Sequence, residues 1–386
     1  MPRNLDSAQE RSALERIVLL LQGGGALGAY QAGVYQALSE ARLQPDRVAG
    51  VSIGAINAAL IAGNAPDQRV ARLRAFWERI TPAQPLDDIA KLAPMMWLRS
   101  AAGRGLRSHL SAGAALVGGV QNFFEPRVPA AWLCRPGTVE ATSYYDTGRL
   151  RSTLEELIDF DRINAQGIRF SVGAVSVTSG NFVCFDNTTH RIGPEHVMAS
   201  GALPPGFPAV EIEGEFYWDG GLVSNTPLQW VLESEPQRDT LAFEVNLWDS
   251  GGTFPRTITE VMTRRKEIQF SSRTRSSSER FRRTQRLRSS LANLLAKLPE
   301  EMQNLPELEV LRPVARAKAF NIVPLIYQAK GFEGDSKAYE FSRHTMEEHW
   351  RAGFDDMKRT LRHAELLQRP DWFGARAELQ SRTACP

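Results

Sequence analysis

The sequence predicts an α/β fold, and three observations carry that expectation. The apolar run Ile17-Val18-Leu19-Leu20-Leu21 breaks into Gly23-Gly24-Gly25-Ala26-Leu27-Gly28, and a second apolar run, Val48 to Val51, breaks at Ser52 inside Gly50-Val51-Ser52-Ile53-Gly54. Each break leads into a helix-forming stretch, so strand, glycine turn and helix follow one another twice. At 386 residues and 42% hydrophobic content, the chain can also bury one sizeable α/β core with an added part.

The first helix is read from Leu27, Tyr30, Val34 and Leu38 at helical spacing. The glycine turn before it leaves its backbone N–H groups unshielded, and two such donors aimed at one point stabilise the oxygen of a tetrahedral acyl intermediate. The same residues satisfy GxGxxG, a dinucleotide fingerprint that also expects an acidic residue about 20 positions on. Glu40 and Asp46 lie near that distance, but neither closes an apolar strand. At the second turn, Gly50 and Gly54 are the small neighbours that a strained strand-to-helix elbow needs around an exposed serine. Ala55 to Ala62 continues as helix and puts Ser52 at its positive end.

Further along, Glu215-Phe216-Tyr217-Trp218 reads as a strand that breaks into Asp219-Gly220-Gly221, followed by Asn225 and Pro227. Asp219 is placed to take a proton from a serine hydroxyl. By itself Asp-Gly is equally an ordinary turn.

The glycine loop, GVSIG and DGG, in this order on alternating strands and helices, resemble the patatin-like phospholipase family over roughly Leu14 to Leu232. The resemblance implies a three-layer α/β/α fold with a mainly parallel central sheet, and lipid acyl hydrolysis by a serine–aspartate dyad without a catalytic histidine or cofactor. Carried over, Ser52 is the nucleophile, Asp219 the general base, and the amides of Gly24, Gly25 and Ala26 the oxyanion donors. Gly23, Gly28, Gly50, Gly54, Gly220 and Gly221 support the motifs. The stretch Ala199 to Pro204, ahead of Phe207 and Pro208, resembles the family's approach to the aspartate. Leu27 stands where the family commonly carries arginine or lysine, so a charge that would hold an anionic headgroup is missing from the loop. A lipid or acyl ester is the implied substrate. The rival readings are a non-catalytic membrane-surface protein on the same fold and a nucleotide-binding oxidoreductase using the GxGxxG loop.

Residues 233–386 read as a partly helical extension beyond a 14–232 catalytic domain. Leu241 to Leu247 and Phe320 to Tyr327 are strand-like and are expected to extend the sheet. Ala338 to Leu367 reads as one or two helices with Phe341, Met346, Trp350, Phe354, Met357 and Leu361 as the apolar stripe. The resemblance reaches this part as well, to an extension seen on some bacterial patatin-like proteins, which implies no separate function; lid, dimer surface and brace are the open readings.

Net charge is +2, yet Arg264 to Lys297 holds eleven basic residues against Glu267 and Glu279. With Leu291, Leu294, Leu295 and Leu298 at its end, this segment suits either an anionic membrane surface or packing on the catalytic domain. No nucleic-acid motif accompanies it. No apolar run nears the ~20 residues a bilayer span needs, and no signal-peptide pattern opens the chain, so a cytoplasmic location is expected, with peripheral membrane contact through Arg264 to Leu298 and room for oligomerisation.

Cys134, Cys184 and Cys385 form neither a disulfide framework nor a metal set. His344, His349 and His363 follow Asp219 in the order of a serine–acid–histidine triad, but they fall on the expected C-terminal helices and read as surface histidines. Ile89 to Phe124 is either a cover over the site or core.

Overall fold

The structure, a computed structural model, describes residues 15–81, 101–234, 238–299, 302, 305–315, 320–329, 333–363 and 367. Its elements in chain order are β1 (Arg16–Leu21), α1 (Ala29–Glu40), β2 (Arg47–Gly50), α2 (Ile53–Ala62), α3 (Arg69–Ile80), α4 (Ala101–Gly118), β3 (Glu125–Pro126), β4 (Tyr145–Asp146), α5 (Gly148–Leu157), α6 (Phe160–Asn164), β5 (Arg169–Ser176), β6 (Phe182–Asp186), α7 (Pro194–Ser200), β7 (Val210–Ile212), β8 (Glu215–Asp219), α8 (Leu228–Ser234), β9 (Thr240–Asn246), α9 (Ile258–Leu295), α10 (Glu307–Ala315), β10 (Phe320–Ile326) and α11 (Arg343–Leu361). One sheet runs β10-β9-β1-β2-β5-β8-β7, with β6 on the other edge of β5. The first five strands of that order are parallel, and β6, β8 and β7 are antiparallel.

Period-two alternation along the strands divides the core into two layers. Leu19, Leu21, Phe243 and Val245 face a large cluster with residues of α1, α2, α3 and α11, while Val18, Leu20, Ala242 and Ile322 face Leu228 and Val231 of α8 and Phe281 of α9. The result is the mainly parallel three-layer α/β/α arrangement. Pro324 lacks the N–H of a ladder donor and sits on β10, the edge strand, where that loss is tolerated.

Both strands read beyond Leu232 join the sheet, β9 directly against β1. The closing helix is just as integrated. A Cβ at Gly33 of α1 would stand 1.9 Å from the Trp350 carbonyl, and one at Gly353 of α11 would stand 1.9 Å from the Tyr30 carbonyl. These two helices therefore cross backbone to backbone, each through a glycine of the other's contact face. Met346, Trp350 and Met357 of the expected stripe are buried there.

The basic segment is one helix, α9, begun by Thr257, whose hydroxyl oxygen caps the Glu260 N–H. It packs Phe281 on Phe320 at 5.3 Å between ring centroids and buries Ser271 and Gln285. Leu294 stays exposed, so the expected leucine stripe is only partly covered. Among the described residues no helix is long and apolar enough to cross a membrane.

One expectation is corrected. His344 is exposed, but His349 is buried between Tyr327 and Glu333, because α11 turns that face onto β10 and α1. Cys134 and Cys184 are free thiols, burial pushes Cys184 up to about 12, and Cys385 lies outside the described residues. Of the stretch Ile89 to Phe124, Ile89 to Ser100 also lie outside them, while Phe123 and Phe124 are core.

Candidate active site

Ser52 sits where β2 ends and α2 begins, at φ 57° and ψ −126°. That region is disfavoured for a side chain with a Cβ and costs on the order of 1–3 kcal/mol. The surroundings hold it. Its N–H donates to both the carbonyl and the Oγ of Ser200, each at 3.1 Å. A Cβ at Gly50 would meet the Gly54 carbonyl at 2.2 Å, and one at Gly54 would meet the Leu21 carbonyl at 2.3 Å, so the elbow closes only with glycine at both places.

Sheet register brings the carboxylate to this serine. On β5, Val172 pairs with Gly50 of β2, and two residues on, along the same edge, Ala174 pairs with Asp219 of β8. Ser52 lies two residues beyond Gly50, so β8 occupies the place that β2 vacates as it turns. Gly220 permits this approach, since a Cβ there would lie 2.5 Å from the Gly173 carbonyl. Asp219 is buried, its Oδ1 accepts the Gly221 N–H at 2.7 Å, and it lines the same cavity as Ser52. Burial raises its carboxyl from 3.8 to about 6, against the opposing pull of the Gly221 N–H and the Ser52 hydroxyl.

The glycine loop lies beside the pair. Gly23, Gly24 and Gly25 line the same cavity as Ser52 and Asp219, while Ala26 is buried behind it. Gly25 takes φ +58°, and a Cβ there would stand 2.3 Å from the Ala338 carbonyl. In this turn Leu27 N–H bonds back to the Gly24 carbonyl, so by position the amides of Gly24, Gly25 and Ala26 precede the ladder. The Gly23 carbonyl accepts from Asn225 Nδ2 at 3.0 Å and Trp248 Nε1 at 2.9 Å. Because C=O and N–H of one trans peptide point in opposite directions, those two bonds also fix the direction of the Gly24 N–H.

A buried polar chain stiffens the loop from below. Gln22 accepts from the amides of Leu247 and Trp248, Gln31 donates to the Gln22 carbonyl, Asn57 donates to Gln31 and to the Gly28 carbonyl, and Trp77 donates to Asn57. Sequence reasoning assigned no role to Gln22, Gln31, Asn57 or Trp248. The available signal was Asn57, a polar residue within the apolar stretch Ile53 to Ala62.

The cavity has a volume of about 300 Å³ and is mostly apolar. Phe123, Phe124, Tyr145, Phe207 and Phe341 form one wall as a set of edge and tilted ring contacts. Gly201 to Phe207 line another part, which places the Ala199 to Pro204 stretch at the site. Among the described lining residues the charged side chains are Asp219 and Lys266, and no histidine is present. Lys266, from α9, lies 5.0 Å over the Tyr339 ring. Leu27 is fully buried. Glu40 pairs with Lys358 at 2.9 Å and Asp46 accepts the Ile17 N–H at 2.8 Å, so the acids a dinucleotide reading needs are used away from the glycine loop. No group of His, Cys, Asp and Glu among the described residues is arranged to hold a metal.

A family model described as patatin-like phospholipase matches residues 19–231, which run from within β1 to within α8 and hold all three motifs. The chain belongs to the patatin-like phospholipase family. A second model, described as patatin phospholipase, matches residues 268–372. An uncharacterized NTE family protein of Mycobacterium tuberculosis is 29% identical over 232 residues, covering 58% of this chain and 30% of that protein, so this patatin-like chain spans under a third of its relative's length. The crystal structure of VipD from Legionella pneumophila aligns over 90% of the chain and 66% of VipD at 14% identity, with a TM-score of 0.36.

Proposed function

We propose that the protein is a serine acyl hydrolase that cleaves fatty-acyl esters of lipids through a Ser52–Asp219 dyad. The observation that carries this reading is a buried carboxylate and a serine on a strained elbow in one apolar cavity, with a glycine loop beside them. Asp219, ionised, takes the Ser52 proton as Oγ attacks the ester carbonyl, and the amides of Gly24 and Gly25 receive the developing oxyanion. The carbonyl–alkoxy bond then breaks, Asp219 returns the proton to the leaving alcohol, and the acyl chain rests on Ser52 against the aromatic wall. A water deprotonated by the same carboxylate releases the fatty acid, the proton passing back to Ser52 Oγ.

The direct test is labelling with a fluorophosphonate followed by peptide mass spectrometry. The adduct is expected on Ser52, and a folded, unlabelled Ser52 sinks the reading. The raised carboxyl of Asp219 gives a second expectation, because only its ionised form accepts a proton. Turnover of a p-nitrophenyl ester should rise with pH through about 6 and plateau above it. At one unit below that midpoint, about a tenth of the plateau rate remains. A flat profile from pH 5 to 8 contradicts the assignment of Asp219 as base.

The cation absent from the glycine loop is supplied across the cavity by Lys266 of α9. Lys266→Ala is expected to lower kcat/KM for an anionic phospholipid by about tenfold, in line with loss of one hydrogen-bonded charge contact. The loss for an uncharged ester should be several-fold smaller, and equal losses on both substrates rule out a headgroup contact.

A further inference from the structure

We infer that the protein docks on a lipid surface through an ordered apolar loop at the cavity rim, residues 127–144, together with the end of α4. The inference rests on the proposed hydrolase function for its biological sense, and on geometry for its location. The short ribbon β3–β4 pairs Glu125 with Asp146 and Pro126 with Tyr145, and the chain between these strands forms the loop. Its base is tied by the Arg127 N–H to the Tyr144 carbonyl at 3.0 Å and by Arg127 Nε to Ser143 Oγ at 2.9 Å. The amides of Tyr144 and Tyr145 donate to the carbonyls of Pro205 and Gly206, and all four of these residues line the cavity. The loop thus springs from the mouth of the site.

Its tip is built, not slack. Two 3-10 turns, Ala131–Leu133 and Val139–Thr142, are closed by bonds such as Leu133 N–H to the Ala130 carbonyl at 2.8 Å. This ordered tip nevertheless holds Val128, Trp132 and Leu133 at 94%, 77% and 71% exposure. Beside it, Tyr145 Oη donates to the Leu116 carbonyl at 2.6 Å, which brings the end of α4 to the same rim. There Leu110, Leu116 and Val117 are exposed as well, and Leu116 also lines the cavity. Single exposed apolar residues are ordinary, but a cluster joined to a cavity mouth marks an interaction surface.

The chemistry of the patch selects a bilayer over a protein. Across residues 127–144 the charged side chains are Arg127, bonded to Ser143 and Asp146 at the loop base, Arg135 and Glu140. Tryptophan with aliphatic neighbours and few charges is the composition that settles at the headgroup boundary, where the ring lies in apolar surroundings and polar ends stay wet. Continuity with the cavity supplies the second argument. Leu116 and Tyr144 line the same mostly apolar cavity as the aromatic wall, so the rim and the acyl-binding surface are one lining. The surface differs from the basic face of α9 in needing no anionic lipid.

Flotation of the full chain with phosphatidylcholine vesicles at high salt tests this. Wild type is expected to float, and Trp132→Ser/Leu133→Ser to lose about tenfold in partitioning, since both side chains enter the interface. The variant should hydrolyse a water-soluble short-chain ester at the wild-type rate and elute at the wild-type volume in gel filtration. Ser52→Ala should float like wild type, so failure of the hydrolase reading and failure of the docking reading are separate outcomes. The inference is overturned if wild type does not float, if the double variant floats equally, or if wild type is a dimer that the variant dissociates, which would assign the patch to a second copy.

Discussion

Ser52→Ala and Asp219→Asn are each expected to reduce turnover of p-nitrophenyl esters by on the order of 10⁴ or more, the scale seen when a member of a nucleophile–base unit is removed. The two losses should not add in the double variant, because either residue alone leaves no activated nucleophile. His344→Ala, on an exposed side chain away from the cavity, should retain wild-type turnover. Stability separates the two inactive variants. Asp219 has a folded-state value of about 6 above an ordinary 3.8, so the neutral carboxyl is the form the fold favours. Its contribution is fully present below about 3.8 and is lost as pH rises through about 6. Asparagine keeps the shape without the buried charge, so at neutral pH Asp219→Asn should melt no lower than wild type. Residual ester turnover in a folded Ser52→Ala protein, or a lower melting temperature for Asp219→Asn with lost secondary structure, contradicts this account.

Gly353→Ala is expected to destabilise the whole domain, and here two physical effects oppose each other. Alanine in a helix interior is favoured over glycine by about 1 kcal/mol. At this position, however, the new Cβ would lie 1.9 Å from the Tyr30 carbonyl, which is backbone and cannot swing aside. Separating α1 from α11 costs about 1–3 kcal/mol or more, as for other overpacked cores, and so outweighs the propensity gain. The sign of the change in melting temperature therefore decides between them: a fall supports the backbone-to-backbone crossing, and a rise excludes it. Activity should fall with stability, since Ala338 and Phe341, just before α11, line the cavity.

Much of this was legible in the sequence. GVSIG demands an elbow because Gly50 and Gly54 leave no Cβ where neighbouring carbonyls must pass; a Cβ at either would stand 2.2 or 2.3 Å from such a carbonyl. The strands at Ile17, Val48, Glu215, Leu241 and Phe320 were readable because each is a short apolar or aromatic run with a clear break. β5 was not marked out, although Arg169 to Ser176 is the central strand, because its apolar residues are interrupted by Ser171 and Gly173. The burial of His349 was also illegible, since a lone polar residue on a helix does not reveal which neighbour will cover it.

The sequence by itself determined the local chemistry: which turns must be glycine, where a serine is held in strain, and that an aspartate ends a strand. Those are consequences of backbone sterics, which act between neighbours in the chain. The tertiary structure decided that Asp219 meets Ser52, through register on β5, and that Gln22, Asn57, Asn225 and Trp248 fix the glycine loop. It also decided that Lys266 from the distant α9 reaches the cavity and that an exposed apolar loop stands at its mouth. These are contacts between residues far apart in the chain, set by the packing of layers and not by any pattern of neighbours.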